Sequence, residues 1–467
     1  MNELLLQDFA QIEQLLNAAK IQGTDYLQHL TTRSSVGQKP QSEPLTLPAQ
    51  GVGTLHALEQ FNTRFEPLMV ASSGPRYWGF VTGGTTPASI VGDWLTTIYD
   101  QNPQGTTAQG DVSALIELET IQLLLELFEL PKDFLGGFVT GATLSNFTCL
   151  AVARQWLGNQ LGKDFAKEGV SGQVQVLTAT PHSSAVKSLA MLGLGSNNFT
   201  KIQVLTGNRE AIDVADLEEK ILELHGQPFI LITSGGTVNT VDFDDFEAIA
   251  ALKAKYNFWW HIDAAFGAFA VLSASHRHLL KGWEQADSIT VDCHKWLNVP
   301  YENAVFFVKE KHNRLQVETF QNSNAPYLGN PLENFSYLNF LPENSRRLRA
   351  LPVWFALQAY GKTGLASVVE TCIHAAQTFG EYIESHPGFE LLAPVRLNTV
   401  CFTLSGPENQ DHVYSFLTQL NDSGLVFMTP TVYNGKKGIR AAFVNWLTQE
   451  DDVRLVTAKM GALFKNM

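Results

Sequence analysis

Between residues 131 and 310 the chain alternates short apolar runs with amphipathic stretches. The apolar runs are Gly137–Thr140, Val174–Ala179, Lys201–Leu205, Phe229–Thr233, Trp259–Asp263, Ser288–Val291 and Ala304–Val308. They are short and rich in β-branched residues, which is the pattern of strands buried on both faces. Leu144–Leu157, Ser183–Leu192, Asp216–Leu224 and Phe246–Tyr256 carry apolar residues at helical spacing. Alternation of the two predicts an α/β unit with a seven-stranded, mostly parallel sheet covered by helices. Asp213 and Asp216, three apart before an apolar run, predict a capping box.

The flanks follow other patterns. Helices are expected at Leu4–Ala19, Thr54–Arg64 and Ser113–Leu130, the last stopped by Pro131, with a polar run from Thr31 to Pro48. Gly74-Pro-Arg-Tyr-Trp-Gly-Phe80 then gathers three aromatics, which could pack or line a pocket. After about Arg346 the pattern predicts two long helices, the second over Leu365–Ser385. It continues with strands at Phe389–Leu392, Val400–Leu404, Leu425–Met428 and Ile439–Val444, and a closing helix over Thr448–Phe464. The expected organisation is a helical arm that packs on a partner subunit (1–85), a large sheet domain (86–345) and a small α+β domain (346–467).

Composition narrows the possible partners. With 467 residues, 45% hydrophobic and 17% charged, the chain can bury large cores. A net charge of −14 without any Lys/Arg block argues against nucleic acid or an anionic membrane surface. No run of 18 apolar residues predicts a membrane span, and the N-terminus lacks the basic and apolar regions of a signal peptide. Cys149, Cys293, Cys372 and Cys401 are widely spaced, as expected of thiols in a reducing compartment such as the cytoplasm. His276 and His278 are two apart, too close for one helix face, and no metal site is expected.

Candidate chemistry collects after the carboxyl ends of the expected strands, where open α/β sheets bind ligands. Asp292, His294, Lys295 and Trp296 crowd the end of the sixth run. A lysine there could hold a carbonyl cofactor as a Schiff base, or belong to a surface turn. His261-Ile-Asp263-Ala-Ala ends the fifth run in a carboxylate that could meet a protonated pyridine, or serve a salt bridge or a cap. His182 could stack on a flat ring or cap the helix that follows it. Thr140-Gly-Ala-Thr-Leu-Ser-Asn146 joins a strand to a helix and could hold a phosphate, or be capped by Thr143 or Ser145. Ser234-Gly-Gly-Thr237 fits a turn or close contact with a ring.

At these positions the chain resembles the group II pyridoxal-phosphate-dependent decarboxylases, which act on aromatic amino acids, histidine and glutamate. The most specific stretch is Asp292-Cys-His-Lys-Trp-Leu-Asn-Val-Pro-Tyr301. His261-Ile-Asp-Ala-Ala, Thr180-Pro-His-Ser-Ser184, Ser234-Gly-Gly-Thr237 and Arg346-Arg-Leu-Arg-Ala-Leu-Pro-Val-Trp354 support it. The resemblance spans about residues 70–450. It implies the aspartate-aminotransferase-like fold (type I), pyridoxal 5'-phosphate, an amino acid substrate, and a homodimer with active sites at the interface. It also implies that Lys295 bonds to the cofactor, Asp263 pairs with its ring nitrogen and His182 stacks over the ring. Ala142, Thr143 and His294 would hold the phosphate, and Thr237 would line the ring. Tyr327 lies at the distance after Lys295 where the family carries a tyrosine that protonates the product carbon. The sequence departs from the family at Gly74-Pro75, where His-Pro is usual, and at Ser113, where a proline is usual. Tyr77, Trp78 and Phe80 point to an aromatic or bulky substrate. Arg440 could clamp a substrate carboxylate or serve a structural ion pair.

Overall fold

A computed structural model describes residues 2–37, 46–106, 112–321 and 335–466. Its centre is a seven-stranded sheet: β1 (Phe134–Val139), β2 (Val176–Thr178), β3 (Thr200–Lys201), β4 (Phe229–Ser234), β5 (Phe258–Asp263), β6 (Ser288–Asp292) and β7 (Ala304–Lys309). The spatial order is β1-β7-β6-β5-β4-β2-β3. Every strand but β7 runs the same way; β7 is antiparallel to both its neighbours. The connection from β6 is only residues 293–303, too short for the crossover that a parallel strand needs.

Both faces of the sheet are buried, so the two side-chain directions of each strand enter different cores. On β4, Phe229 and Leu231 join one core while Ile230 and Ile232 join the other. On β5, Phe258, Trp260 and Ile262 point to the first core. Trp259 points to the second, which the helix Ala142–Gln160 covers. By the same period of two, His261 and Asp263 lie on Trp259's side, beneath that helix.

Two local expectations change. Asp213 does cap the helix Val214–Glu223, its carboxylate accepting from Ala215 N at 3.0 Å. Asp216 does not complete a capping box: it accepts instead from Gln203 N at 2.7 Å. The run Lys201–Leu205 pairs in the sheet only at Thr200–Lys201. Beyond it, Val204 bridges Ile212 in the turn leading to that helix.

The small domain holds a four-stranded antiparallel sheet in the order β10-β11-β9-β8: β8 (Phe389–Leu391), β9 (Thr399–Leu404), β10 (Thr429–Tyr433) and β11 (Lys436–Ala442). The strand expected at Leu425–Met428 begins later, at Thr429. Residues 425–428 meet the aromatic segment instead. Phe427 N donates to Arg76 O (3.1 Å), Trp78 N to Phe427 O (2.9 Å) and Ala442 N to Trp78 O (2.9 Å). Trp78 is thereby 1% exposed, against Phe379 and Phe443. The helix Ala350–Ser385 is broken at Gly361, whose φ of 57° favours glycine, and so matches the expected pair of helices.

The N-terminal helices Glu3–Ala10 and Ile12–Gln28 bury no residue, and Leu5, Leu6, Phe9, Ile12 and Leu16 are exposed. On the helix Pro87–Tyr99, Val91, Trp94 and Ile98 form a second exposed apolar stripe. Among the described residues no helix is long and apolar enough to cross a membrane.

Candidate active site

A cavity of about 420 Å³ opens at the carboxyl ends of the parallel strands. Four strand ends contribute to it. His182 follows β2, Thr237 follows β4, Asp263 ends β5, and His294 and Lys295 follow β6. The loop after Phe80 closes one side. Gly83 packs so tightly there that a Cβ would sit 1.6 Å from the Lys295 carbonyl oxygen.

Lys295 Nζ lies 2.9 Å from Asp292 Oδ2 and above the Phe266 ring. The other Asp292 oxygen is buried without a partner. Asp263 is buried, and among the described residues no cation lies within ion-pair distance of it. Its Oδ2 accepts from Asn146 Nδ2 (2.9 Å) and its Oδ1 from Ala265 N (3.2 Å). Of the alternatives for this carboxylate, the salt bridge is absent among the described residues, while the bond from Ala265 N is a local capping contact.

Of the two roles expected of His182, the structure shows the helix cap. Its Nδ1 accepts from Ser184 N at 3.2 Å, capping the helix Ser183–Met191, while its ring is open to the cavity. An acceptor at Nδ1 leaves the proton on Nε2. Desolvation lowers its pKa from the usual histidine value, with the Asp263 carboxylate opposing. Burial likewise lowers that of His294, whose ring lies 4.5 Å from the Tyr301 ring. Thr237 Oγ1 donates to Glu210 Oε2 at 2.6 Å, as does Thr240 Oγ1 at the same distance.

Ala142 and Thr143 do not line the cavity itself; they open the helix beside it. A Cβ on Gly141, just before them, would lie 3.5 Å from the His294 ring. No side chain caps this helix. Ser145, a candidate cap, instead hydrogen-bonds Thr290 Oγ1 and Val305 O. An uncapped helix N-terminus beside a histidine suits an anionic group. Tyr327 lies outside the described residues.

Of the three aromatics near the glycines only Phe80 lines the cavity. Trp78 is core, and Tyr77 stacks on Phe427 at 4.9 Å. The ion pair weighed for Arg440 is absent: among the described residues no carboxylate lies within 4.0 Å of its guanidinium. Nη1 donates to Val238 O at 3.2 Å and lies 3.4 Å from Asn239 Oδ1, and Nε is buried without a partner. Sequence reasoning passed over Glu210, Asn146 and Tyr301. Asn146 stood inside the quoted strand-to-helix stretch, but nothing in the sequence says which side chain of a helix reaches a carboxylate 117 residues on. Glu210 had no signal: it sits in a turn.

A lysine, a buried carboxylate short of a cation, a neutral histidine and an uncapped helix N-terminus around one cavity define a site for a phosphorylated carbonyl cofactor with a basic ring. Comparison with known proteins agrees. The pyridoxal-dependent decarboxylase conserved domain matches residues 37–405, and the chain belongs to that family. It is 27% identical over 409 residues to an aromatic-L-amino-acid decarboxylase of Catharanthus roseus, covering 84% of this chain and 80% of the relative. It is 25% identical over 460 residues to a phenylacetaldehyde synthase of a Rosa hybrid cultivar, covering 92% and 89%. The fold matches the tryptophan decarboxylase of Catharanthus roseus solved with L-tryptophan, with a TM-score of 0.88, 22% identity and 98% of each chain covered. The fold is therefore that of type I pyridoxal-phosphate enzymes, and pyridoxal 5'-phosphate is the cofactor.

Proposed function

We propose that this protein decarboxylates an aromatic or otherwise bulky L-amino acid, giving the amine and CO₂. The observation that carries the reading is Asp263, buried and, among the described residues, without a cation, in one cavity with Lys295. A protonated pyridine is the cation that position calls for. Lys295 is the amine that would hold the cofactor's aldehyde carbon. His182 would cover one ring face, Thr237 would line the ring, and Ala142, Thr143 and His294 would hold the phosphate. Bound pyridoxal phosphate supplies the electron sink for the pair left on Cα as CO₂ departs. Asp263 holds the proton of the ring nitrogen in place while that charge develops. Arg440 receives the substrate carboxylate, and Tyr327 delivers a proton to Cα.

Phe80 at the cavity favours a flat apolar side chain. The likeness to a phenylacetaldehyde synthase makes oxidative aldehyde formation the second reading. The two are separated by a panel of amino acids assayed for CO₂, ammonia and keto acid. The proposal expects CO₂ with amine and no ammonia. Ammonia with aldehyde supports the second reading, and failure of every substrate to release CO₂ refutes both.

The exposed stripes on the arm and on Pro87–Tyr99 support a homodimer with the active sites at its interface. Light scattering is expected to give twice the 51.6 kDa chain mass. The four buried, unpaired thiols fit a cytoplasmic setting.

A further inference from the structure

Asp263 is held by a chain of buried side chains that no assigned role accounts for. The register of β5 against β6 pairs His261 with Ser288 and Asp263 with Thr290. Trp259, His261 and Asp263 share the face beneath the helix Ala142–Gln160, and Asn146 comes down from that helix between the last two. The distances close a continuous line. Trp259 Nε1 lies 3.0 Å from Ser288 Oγ, and Ser288 Oγ lies 2.9 Å from His261 Nδ1. His261 Nε2 lies 2.8 Å from Asn146 Oδ1. Asn146 Nδ2 then reaches Asp263 Oδ2 at 2.9 Å and Ser184 Oγ at 3.0 Å. Ser184 Oγ lies 2.7 Å from His182 Nδ1.

With His261 neutral, donor and acceptor chemistry leaves one arrangement for this line. An ionised carboxylate only accepts, so the Asn146 NH₂ must face Asp263. Its carbonyl oxygen then faces His261, which must carry its proton on Nε2. His261 Nδ1 is left bare and accepts from Ser288 Oγ–H. Ser288 in turn accepts the indole N–H of Trp259, a group that can only donate. The two ends, fixed independently, agree. Trp259, His261, Ser288 and Asn146 are each fully buried, so no water competes for these bonds, and an imperfect member would be costly.

We propose that Asn146 is a positioning residue that keeps the Asp263 carboxylate aimed at the cofactor ring, its amide orientation locked by His261 in the Nε2–H tautomer. The same NH₂ group ties Ser184, and through it His182, to the carboxylate, so the group meant for the ring nitrogen and the group meant for the ring face are set by one side chain. The inference rests on the cofactor reading above.

The test has one arm without substitution and one with. Nitrogen-15 histidine spectra of the wild-type protein without cofactor are expected to show His261 neutral with its proton on Nε2 from pH 5 to 8. A proton on Nδ1, or titration within that range, overturns the proposal. In the second arm, cofactor affinity and the pH titration of the bound cofactor's absorption band are compared for wild type, Asn146→Asp and Asn146→Thr. Asn146→Asp conserves shape but removes both donors and sets an acceptor against an acceptor. It is expected to weaken cofactor binding about 10- to 100-fold, the scale of hydrogen bonds to charged groups, and to shift the band's titration. Asn146→Thr can still donate to Asp263 while accepting from His261, and is expected to recover at least half of that loss on a logarithmic scale. Asn146→Asp within twofold of wild type, or Asn146→Thr no better than Asn146→Asp, overturns the role. Absence of any cofactor band in wild type instead defeats the cofactor reading and leaves the first arm to judge the hydrogen-bond chain.

Discussion

At Asp263 both carboxylate oxygens receive N–H donors from the chain itself, whereas across the cavity Arg440 keeps a buried Nε with no acceptor. The first group belongs to the sheet of the large domain and the second to β11 of the small domain. A buried polar atom left unpaired costs about 1–3 kcal/mol, and folds keep few of them. Asp292 Oδ1, beside Lys295, is another. The contrast separates two tasks. Groups that must hold one charge state and one direction are completed internally, while groups that meet an arriving molecule keep capacity unspent. Around Asp263 the sheet is a fixed template, while Asp292 at the end of β6 and Arg440 across the cavity keep capacity that an arriving molecule can finish.

The hardest blow to the template is removal of the lysine. Lys295→Ala is expected to abolish covalent cofactor retention, visible as loss of the absorption band, and to lower amine formation about 10⁴-fold, the upper range for a positioned proton-transfer group. Added alkylamine restoring part of the rate would confirm a chemical role. Asp263→Asn keeps the shape and two-donor surroundings but removes the charge. A fall in kcat of about 10²- to 10³-fold is expected, as for loss of one preorganised electrostatic group. A kcat within tenfold of wild type would mean that Asp263 is completed for stability alone.

The template also has a pH signature. Burial drives the pKa of His261 from 6.5 down to about 4, with the Asp263 carboxylate opposing. The unfolded chain therefore binds a proton near pH 6.5 that the folded chain refuses until about pH 4. Stability from this group is complete above about pH 6.5 and is lost as pH falls through that window, roughly 3 kcal/mol in all. The melting-temperature advantage of wild type over His261→Gln is expected to shrink between pH 7 and 5. A constant gap would show that His261 takes up its proton at the same pH in the folded and unfolded chain.

How far these features could be read beforehand depended on distance along the chain. Strands β4 to β7 were legible because each is a compact apolar run. Lys295, Asp263, His182 and Thr237 were legible because a strand's carboxyl end can be found from the strand. β10 was misplaced because residues 425–428 have strand composition yet pair with Tyr77, some 350 residues away. For the same reason the aromatic segment could not be divided into Trp78, which packs, and Phe80, which faces the cavity. The capping box failed because Asp216 found a tertiary partner in Gln203, an outcome invisible to local spacing. The hydrogen-bond line to Asp263 needs strand register and helix rotation together, and sequence supplies neither.

Arg440 gives the smallest expected effect and the most direct test of the contrast. Its guanidinium could stand in the cavity wall to be packed, or to meet a carboxylate. Burial lowers its pKa from the usual arginine value, yet it remains a cation at neutral pH. Its nearest acceptors, Val238 O and Asn239 Oδ1, are neutral. If it receives the substrate carboxylate, Arg440→Ala loses an interaction present before the reaction begins. KM should then rise about 30-fold, roughly 2 kcal/mol at the low end for a truncated buried charge partner, with kcat changed far less. Arg440→Lys, which keeps the charge but not the planar fork, should fall between the two. If the side chain only packs, both variants lower the melting temperature while KM stays within twofold of wild type, and the small-domain wall is no substrate contact. Titrating free carboxylates as inhibitors sharpens the outcome: they should compete with substrate on the wild type and lose most of their effect on Arg440→Ala.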